Sequence, residues 1–422
     1  MFCFTQSLRF VNVRLINLGL IYLRIAAPLL ALMLSSPMWA NDLSTLNIAL
    51  IEYANDPSYR EEVTDARYQA QPWGRLDTAV ELAIKESRFA AQKSGIKFEL
   101  VKHEVDELAQ LPELILSLQA EGTQFLLLDL PSEGVKLAAQ AAKYSNTVLF
   151  NLSGLDNNLR DENCQANLLH IAPSRRMLTD TMAQYLIFKK WKEVLVLHNE
   201  TVADQRYLES LQGSAKKFGL DLVALKPYTL GNDPRQRYQN NISLLTAKDD
   251  YDVVYVVDST GEFAVDVPYA IVKPRPVVGA SGLVADWWHW AWERNGAPQV
   301  NKRFKKKAKR QMTGYDWSAW LAVKVIAQAM LDLPESHNGS VTAESLLDLI
   351  RSEGFKLDGA KGYPLNFRPW NNQLRQPIFL TSLNRVIGRA PIDGFLHPVN
   401  NLDVLGSDQD EGRCKLNRGV SP

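Results

Sequence analysis

From residue 44 onward, short apolar segments alternate with amphipathic ones, and the rhythm runs through the chain twice. Residues 46–53 (LNIALIEY), 96–101, 125–130 (FLLLDL) and 147–152 (TVLFNL) have the length and apolar continuity of strands covered on both faces. Between them, residues 74–95 place Leu76, Ala79, Val80, Ala83 and Ile84 three and four apart, the spacing of a one-sided helix. Residues 107–119 and 132–144 read as further helices, with Ser132 as a cap for the second. After residue 170 the series restarts: helices at 174–190, 203–218 and 234–247 alternate with strands at 193–198, 222–228, 252–257 and 276–280. Strands separated by helices demand parallel pairing with helices on both faces. Two such series imply an α/β protein of two Rossmann-like lobes. No Pro-, Gly- or Ser-rich run separates them, so short crossings that act as a hinge are expected.

The first 40 residues stand apart. Arg9, Arg14 and Arg24 are their only charges, an apolar run follows at 25–34, and a small residue, Ala40, closes the segment. This is the order of a secretory signal peptide, and the run is too short for a comfortable membrane span. An uncleaved N-terminal anchor is the alternative. Without the leader, 44 basic residues face 47 acidic ones, a balance that gives no field for nucleic acid. Export permits a disulfide between Cys164 and Cys414, but sequence does not decide between a bridge and two separate thiols.

Residues 286–310 break the rhythm. Trp287, Trp288, Trp290 and Trp292 crowd its start; the helical spacing of Trp288 and Trp292 fits core or interlobe packing, an aromatic ligand being the alternative. Seven basic residues fall within 302–310, which by default is one solvated face, an anionic lipid or transporter surface being the alternative. Helices follow at 312–330 and 340–352, strand-like pieces lie near 365–367 and 378–380, and the tail from 391 is polar and Gly-rich.

Catalytic signatures do not emerge. The nearest approach to a nucleophile elbow, Gly279-Ala280-Ser281-Gly282, has the wrong spacing. Residues 354–361 place Ala360 before the Lys and fail as a phosphate-binding loop. The six histidines are scattered, and no Cys or His pair has metal-ligand spacing. The expectation is a non-enzyme without cofactor or metal, with a secreted hydrolase or a ligand-sensing scaffold as alternatives.

Several stretches resemble the type I periplasmic binding proteins typified by the leucine/isoleucine/valine receptors of ABC importers: LNIALIEY and the helix after it, GYDWSAWLAVKVIAQAM (314–330), and GFKLDGAKGYPLNFRPWNNQLRQPIFL (354–380). The likeness spans residues 44–385. HWAWERNGAPQVNKRF, MTGYDWSAW and FLHPVNNLDVLGSDQDEGRC look like the branch associated with pyrroloquinoline-quinone (PQQ)-dependent alcohol dehydrogenase systems. The resemblance implies a periplasmic, monomeric solute-binding component that closes about a hinge on a small polar molecule and hands it to an inner-membrane ABC permease. It divides the chain into one lobe of 44–172 plus about 286–339, another of 173–285 plus about 340–390, and a surface extension at 391–422.

In open α/β sheets ligands bind beyond the carboxyl ends of the strands. That rule selects Tyr53, Ser132, Ser153, Gly154, Glu200, Asp258, Ser259 and Ser281, with Trp73 from the long 54–73 loop. Ser132 and Ser153 offer hydroxyls near helix starts, Gly154 permits close approach, and Asp258 and Glu200 accept from an amine or hydroxyl. Tyr53 or Trp73 covers an apolar part of the ligand. The plainer reading is that Ser132, Ser153 and Asp258 cap helices and Glu200 is solvated. The loops HNET and VDSTGEF depart from the amino-acid receptors' signature, which counts against a branched-chain amino acid. The 54–73 loop is expected either as a lid or as a surface insertion.

Overall fold

The computed structural model describes residues 43–59, 74–230, 238–333, 342–414 and 416. The leader at 1–40, most of the 54–73 loop and Trp73 lie outside them.

Strands β1 (Ser44–Tyr53), β2 (Ile96–Val105), β3 (Phe125–Asp129), β4 (Val148–Asn151) and β5 (Leu168–His170) form a parallel sheet in the order β2-β1-β3-β4-β5. The twofold period of a strand sends alternate residues to opposite faces. Ile48, Leu50, Phe125 and Leu127 meet helix α1 (Asp77–Lys93) on one side. Ala49, Ile51, Leu126 and Leu128 meet α2 (Leu111–Ala120) and α3 (Ser132–Ala141) on the other. Both faces are dry, which is why FLLLDL could be apolar at successive positions.

The second series gives α4 (Arg175–Lys189), β6 (Glu193–His198), α5 (Val202–Phe218), β7 (Asp221–Pro227), α6 (Ile242–Thr246), β8 (Val253–Val257), α7 (Val267–Ala270) and β9 (Val277–Gly279). Its sheet is parallel, ordered β7-β6-β8-β9. Ser174 and Thr201 cap α4 and α5 by accepting the N–H groups of Met177 and Asp204, each at 3.2 Å. Thr201 takes the N-cap position two residues before the start expected for α5. The helix expected at 234–247 is represented among described residues by the short α6, because Asn241 caps it by accepting from Leu244 N at 3.1 Å.

The chain then runs through β10 (Val284–Asp286), α8 (Ala297–Ala308), α9 (Gly314–Asp332), α10 (Ala343–Arg351), β11 (Leu357–Asp358), β12 (Pro364–Phe367), β13 (Leu374–Arg375), β14 (Ile378–Ser382) and β15 (Arg385–Ala390). Helix α9 packs on α1 and is buried along most of its length. Its start is fixed by a capping box of Thr313 and Asp316, and Arg310 clamps the buried Asp316 carboxylate at 2.6 and 2.7 Å. The basic run at 302–310 is largely a solvated face: Lys302, Lys305, Lys306 and Lys309 are exposed, while Arg303 pairs with Glu86 and Lys307 with Glu81 of α1, both at 2.5 Å. Residues 286–292 are not helical despite the Trp288/Trp292 spacing. Asp286 Oδ1 accepts from Trp288 N and His289 Nδ1 from Ala291 N, local bonds that replace helical ones.

Residues 340–390, expected with the second lobe, divide between the two. Helix α10 and strands β12 and β13 pack with the first lobe, where Gln373 bridges to His170 of β5. Strand β14 pairs antiparallel with both β10 and β15, and β14 and β15 pack on α4. The apolar face of α10, with Leu346 and Ile350 buried against α9, decides its side. The chain therefore crosses between lobes three times, at 171–174, 287–296 and 376–377. Gln376 Nε2 donates to Ile171 O at 2.7 Å, Gln373 Nε2 to Ala172 O at 3.1 Å, and Lys361 Nζ to Gln376 Oε1 at 2.7 Å, tying the crossings together.

The tail, expected to lie over the surface, is anchored instead. Leu402, Asp403 and Leu405 are buried. Asp403 accepts from Arg368 and Arg375 of the first lobe at 2.8 and 2.9 Å. Gly406 N donates to Asp180 of α4 at 2.8 Å, and Lys217 of α5 donates to Gly406 O at 2.9 Å. A disulfide joins Cys414 to Cys164. The buried side chains Leu402, Asp403, Leu405 and Cys414 are spaced irregularly and leave no periodic pattern, so only the three-dimensional contacts identify this segment as a strap over both lobes.

Candidate functional site

The carboxyl ends of both parallel sheets face a cavity of about 480 Å³ between the lobes. One wall comes from the segments after β1, β3 and β4, another from those after β8 and β9 and the start of α5, and the floor from the crossing after β10 together with the start of α9. Residues distant in sequence meet here because strand tips in each parallel sheet all point the same way.

On the first wall, Asp129 ends β3 and is 1% exposed. The Tyr59 hydroxyl, carried on a single helical turn after β1, donates to its Oδ2 at 2.6 Å. Burial pushes the Asp129 carboxyl up to about 7, outweighing the hydrogen bond from Tyr59. Ser132 is the first residue of α3 rather than its cap, and its Oγ accepts from Asp156 N at 3.2 Å. Ser153 Oγ donates to Leu130 O at 3.0 Å.

On the second wall, Asp258 follows β8 and holds its own loop: it accepts from Thr260 N, Gly261 N and Ala264 N at 2.9 to 3.0 Å. Ser259 N donates to Asp204 Oδ1 at 2.7 Å, and burial raises the Asp204 carboxyl. Tyr207, one turn along α5, lies 3.2 Å from the Tyr255 hydroxyl. Gly279 ends β9 with φ +102°, and a Cβ there would sit 2.3 Å from Val256 O, so glycine is required for the chain to turn at the cleft.

The floor is aromatic. Trp287 donates from Nε1 to Gly314 O at 2.7 Å and meets Tyr315 edge-on, ring centres 4.8 Å apart. A Cβ on Gly314 would lie 2.6 Å from the Trp287 ring and 2.9 Å from Asp286 Oδ1. Trp288 stacks on Trp317 and donates to Asn301 Oδ1 at 3.1 Å. Burial pushes the Asp286 carboxyl up to about 6 and the His289 imidazole down to about 4.

Of the residues selected from sequence, Ser132, Ser153, Asp258 and Ser259 line this cavity together. Tyr53, Gly154, Glu200 and Ser281 are not among its lining residues, and Trp73 lies outside the described residues. Tyr53 lends its carbonyl to Arg75 at 3.0 Å. Gly154 is buried, its N–H and C=O both taken by the Asn151 side chain at 2.8 and 2.7 Å. Glu200 is exposed and Ser281 wholly buried.

The strand-tip rule passed over Asp56, Tyr59, Asp129, Asp204, Tyr207 and the 286–290 stretch. Asp129 had a signal, a lone carboxylate closing an otherwise apolar strand. Arg175 also reaches the cleft, but its Nε is committed to Asp156 Oδ1 at 3.0 Å. Among the described residues no three His, Cys, Asp or Glu side chains come together as metal ligands. The arrangement can enclose a small molecule, desolvate it against rings and meet it with carboxylates.

No protein-family model matches the sequence, and no curated protein sequence matches it significantly. Solved structures do resemble it. A periplasmic binding protein from Burkholderia mallei superposes with TM-score 0.64 at 12% identity, over 89% of this chain and all of that one. A leucine-, isoleucine-, valine-, threonine- and alanine-binding protein from Brucella ovis, in a closed conformation, gives 0.65 at 13% identity over 80% and 90%. An ABC-transporter solute-binding protein from Rhodopseudomonas palustris in complex with benzoate gives 0.62 at 13% identity over 88% and 100%. The chain has the two-lobed type I periplasmic binding fold.

Proposed function

We propose that this protein is the exported solute-binding component of an ABC importer, which captures a small molecule between its lobes by hinge closure and delivers it to an inner-membrane permease. The observation that carries this reading is the cavity at the carboxyl tips of both sheets, spanned by three short crossings. Only a ligand touching both walls stabilises the closed state over the open one, and that differential contact is what drives closure. Support also comes from the fold's company: one solved neighbour is named as binding leucine, isoleucine, valine, threonine and alanine, and another is a solute-binding protein in complex with benzoate. The stretches 289–304, 312–320 and 395–414 support a finer assignment to import serving PQQ-dependent alcohol oxidation.

A thermal-shift screen of the exported protein against amino acids, amines, alcohols, aromatic acids and quinone cofactors tests the reading. A tight ligand raises the melting temperature by mass action. Turnover of an ester or peptide, with no solute shifting the melt, overturns it in favour of a hydrolase.

A further inference from the structure

The charge in the cleft is lopsided. Asp56 and Asp129 line it from the first lobe, and Asp204, Asp258 and Asp286 from the second. Among the described lining residues Arg175 is the sole Lys or Arg, and it is paired with Asp156. Asp204 and Asp258 are occupied by backbone N–H groups. Asp129 is different: it accepts from a neutral phenol, and among the described residues no Lys or Arg lies within ion-pair distance of it. Its neighbour across the β1–β3 register, Glu52, is 5% exposed, and among the described residues its Oε1 has no hydrogen-bond partner. Asp286, beside the floor on the second lobe, is met by the Trp288 N–H, with the buried Lys361 within Coulombic reach behind it.

The rest of the lining fits the apolar body of a ligand. Tyr59, Tyr207, Trp287, Trp288, Trp290 and Tyr315 all reach the cavity. Ring faces attract cations and repel carboxylates. His289 adds an independent sign of a missing partner. It is 2% exposed and lines the cavity, its Nδ1 accepts from Ala291 N at 3.2 Å, and the remaining Nε2 has no partner among the described residues. With Nδ1 accepting, the neutral ring carries its proton on Nε2, a donor that an oxygen on the ligand would satisfy.

We propose that the cleft takes a small organic cation, an amine or quaternary ammonium compound with an apolar body and an acceptor oxygen, held between Asp129 and Asp286. The inference rests on the solute-binding reading and goes beyond it, because the amino acids and benzoate of the structural neighbours all carry a carboxylate. Acidic groups on both lips repel one another as the lobes approach. A cation between them removes that opposition, whereas an anion adds to it. Charge thus selects the ligand and conditions closure in one step.

Calorimetric titration of the exported protein with choline, tyramine, 2-phenylethanol and benzoate tests this. Choline or tyramine is expected to bind, and Asp129→Asn and Asp286→Asn are each expected to weaken that binding about tenfold or more. Glu133→Gln, an exposed acid beside the cleft, serves as the control and should leave it unchanged. Melting curves without ligand establish that each variant is folded. Tighter binding of benzoate or 2-phenylethanol than of either cation overturns the cation assignment and leaves the receptor reading intact. Cation binding unaltered in both Asn variants overturns the placement. Failure of all four solutes, together with no hit in the wider screen, overturns both.

Discussion

Replacing Asp129 with Asn removes a carboxylate that the fold holds at a cost. The side chain is 1% exposed, and burial raises its carboxyl from 3.8 to about 7, with Glu52 and Asp56 adding to the rise and Tyr59 and Ser153 opposing it. The folded state therefore binds this proton more tightly than the unfolded one. Below pH 3.8 both states are protonated and the contribution to stability is complete; it is lost as pH rises through about 7, and above that no further change follows. A gap of roughly three pKa units corresponds to on the order of 4 kcal/mol. The Asn variant is uncharged throughout and still offers an Oδ1 to the Tyr59 hydroxyl. It should match the parent near pH 4 and exceed it by up to that amount at pH 8, in the absence of ligand. Urea denaturation of both proteins at the two pH values gives the double difference, in which the titration of Glu52, whose carboxyl burial also raises, largely cancels. Equal destabilisation of the variant at both pH values would refute the reasoning, since it would mean that Asp129 is ionised and held by its hydrogen bonds at neutral pH.

Three further outcomes are expected. Cys164→Ser combined with Cys414→Ser opens a covalent link between residues 250 apart; it should lower stability by up to about 5–6 kcal/mol in the chain-entropy account, seen as a lower melting temperature, and expose the tail to limited proteolysis; an unchanged melt and an uncut tail would show that the remaining contacts suffice. Asp403→Asn leaves Arg368 and Arg375 buried without their shared counter-charge and should cost about 3–5 kcal/mol in denaturant titration. Gly314→Ala drives a methyl into the Trp287 ring and should cost about 1–3 kcal/mol, whereas Gly354→Ala, with no atom nearer than 4.0 Å, should be nearly silent.

The two parallel sheets were legible because each strand lies between helices, and such burial writes itself as short continuous apolar runs. Val253 to Val257 and Phe125 to Leu128 are instances. Strand ends were legible too, which is how Ser132, Ser153, Asp258 and Ser259 came to be selected and why they meet in one cavity. Tyr59 and Asp129, 70 residues apart, carry no mutual signal in sequence, since their contact depends on how β1 and β3 pair. The tryptophans of 287–290 read as packing residues, and Trp288 is one; their second role, as the floor of the cleft, follows from the start of α9 lying beneath them. The division of 340–390 was hidden because β13 and β14 are joined by a two-residue link, 376–377, that crosses between lobes with no compositional mark. The tail was hidden for a similar reason: Asp403 looks solvated until Arg368 and Arg375 close around it.

The central claim is that a ligand draws the two lobes together, and the distance between them reads it directly. Spin labels at Glu133→Cys beside Ser132 and Glu262→Cys beside Gly261 sit on exposed positions on opposite sides of the cleft. Pulsed electron–electron resonance with a saturating solute from the thermal-shift screen should shorten and narrow the distance distribution relative to the ligand-free protein. A distribution that stays unmoved while calorimetry shows the solute bound would contradict capture by hinge closure.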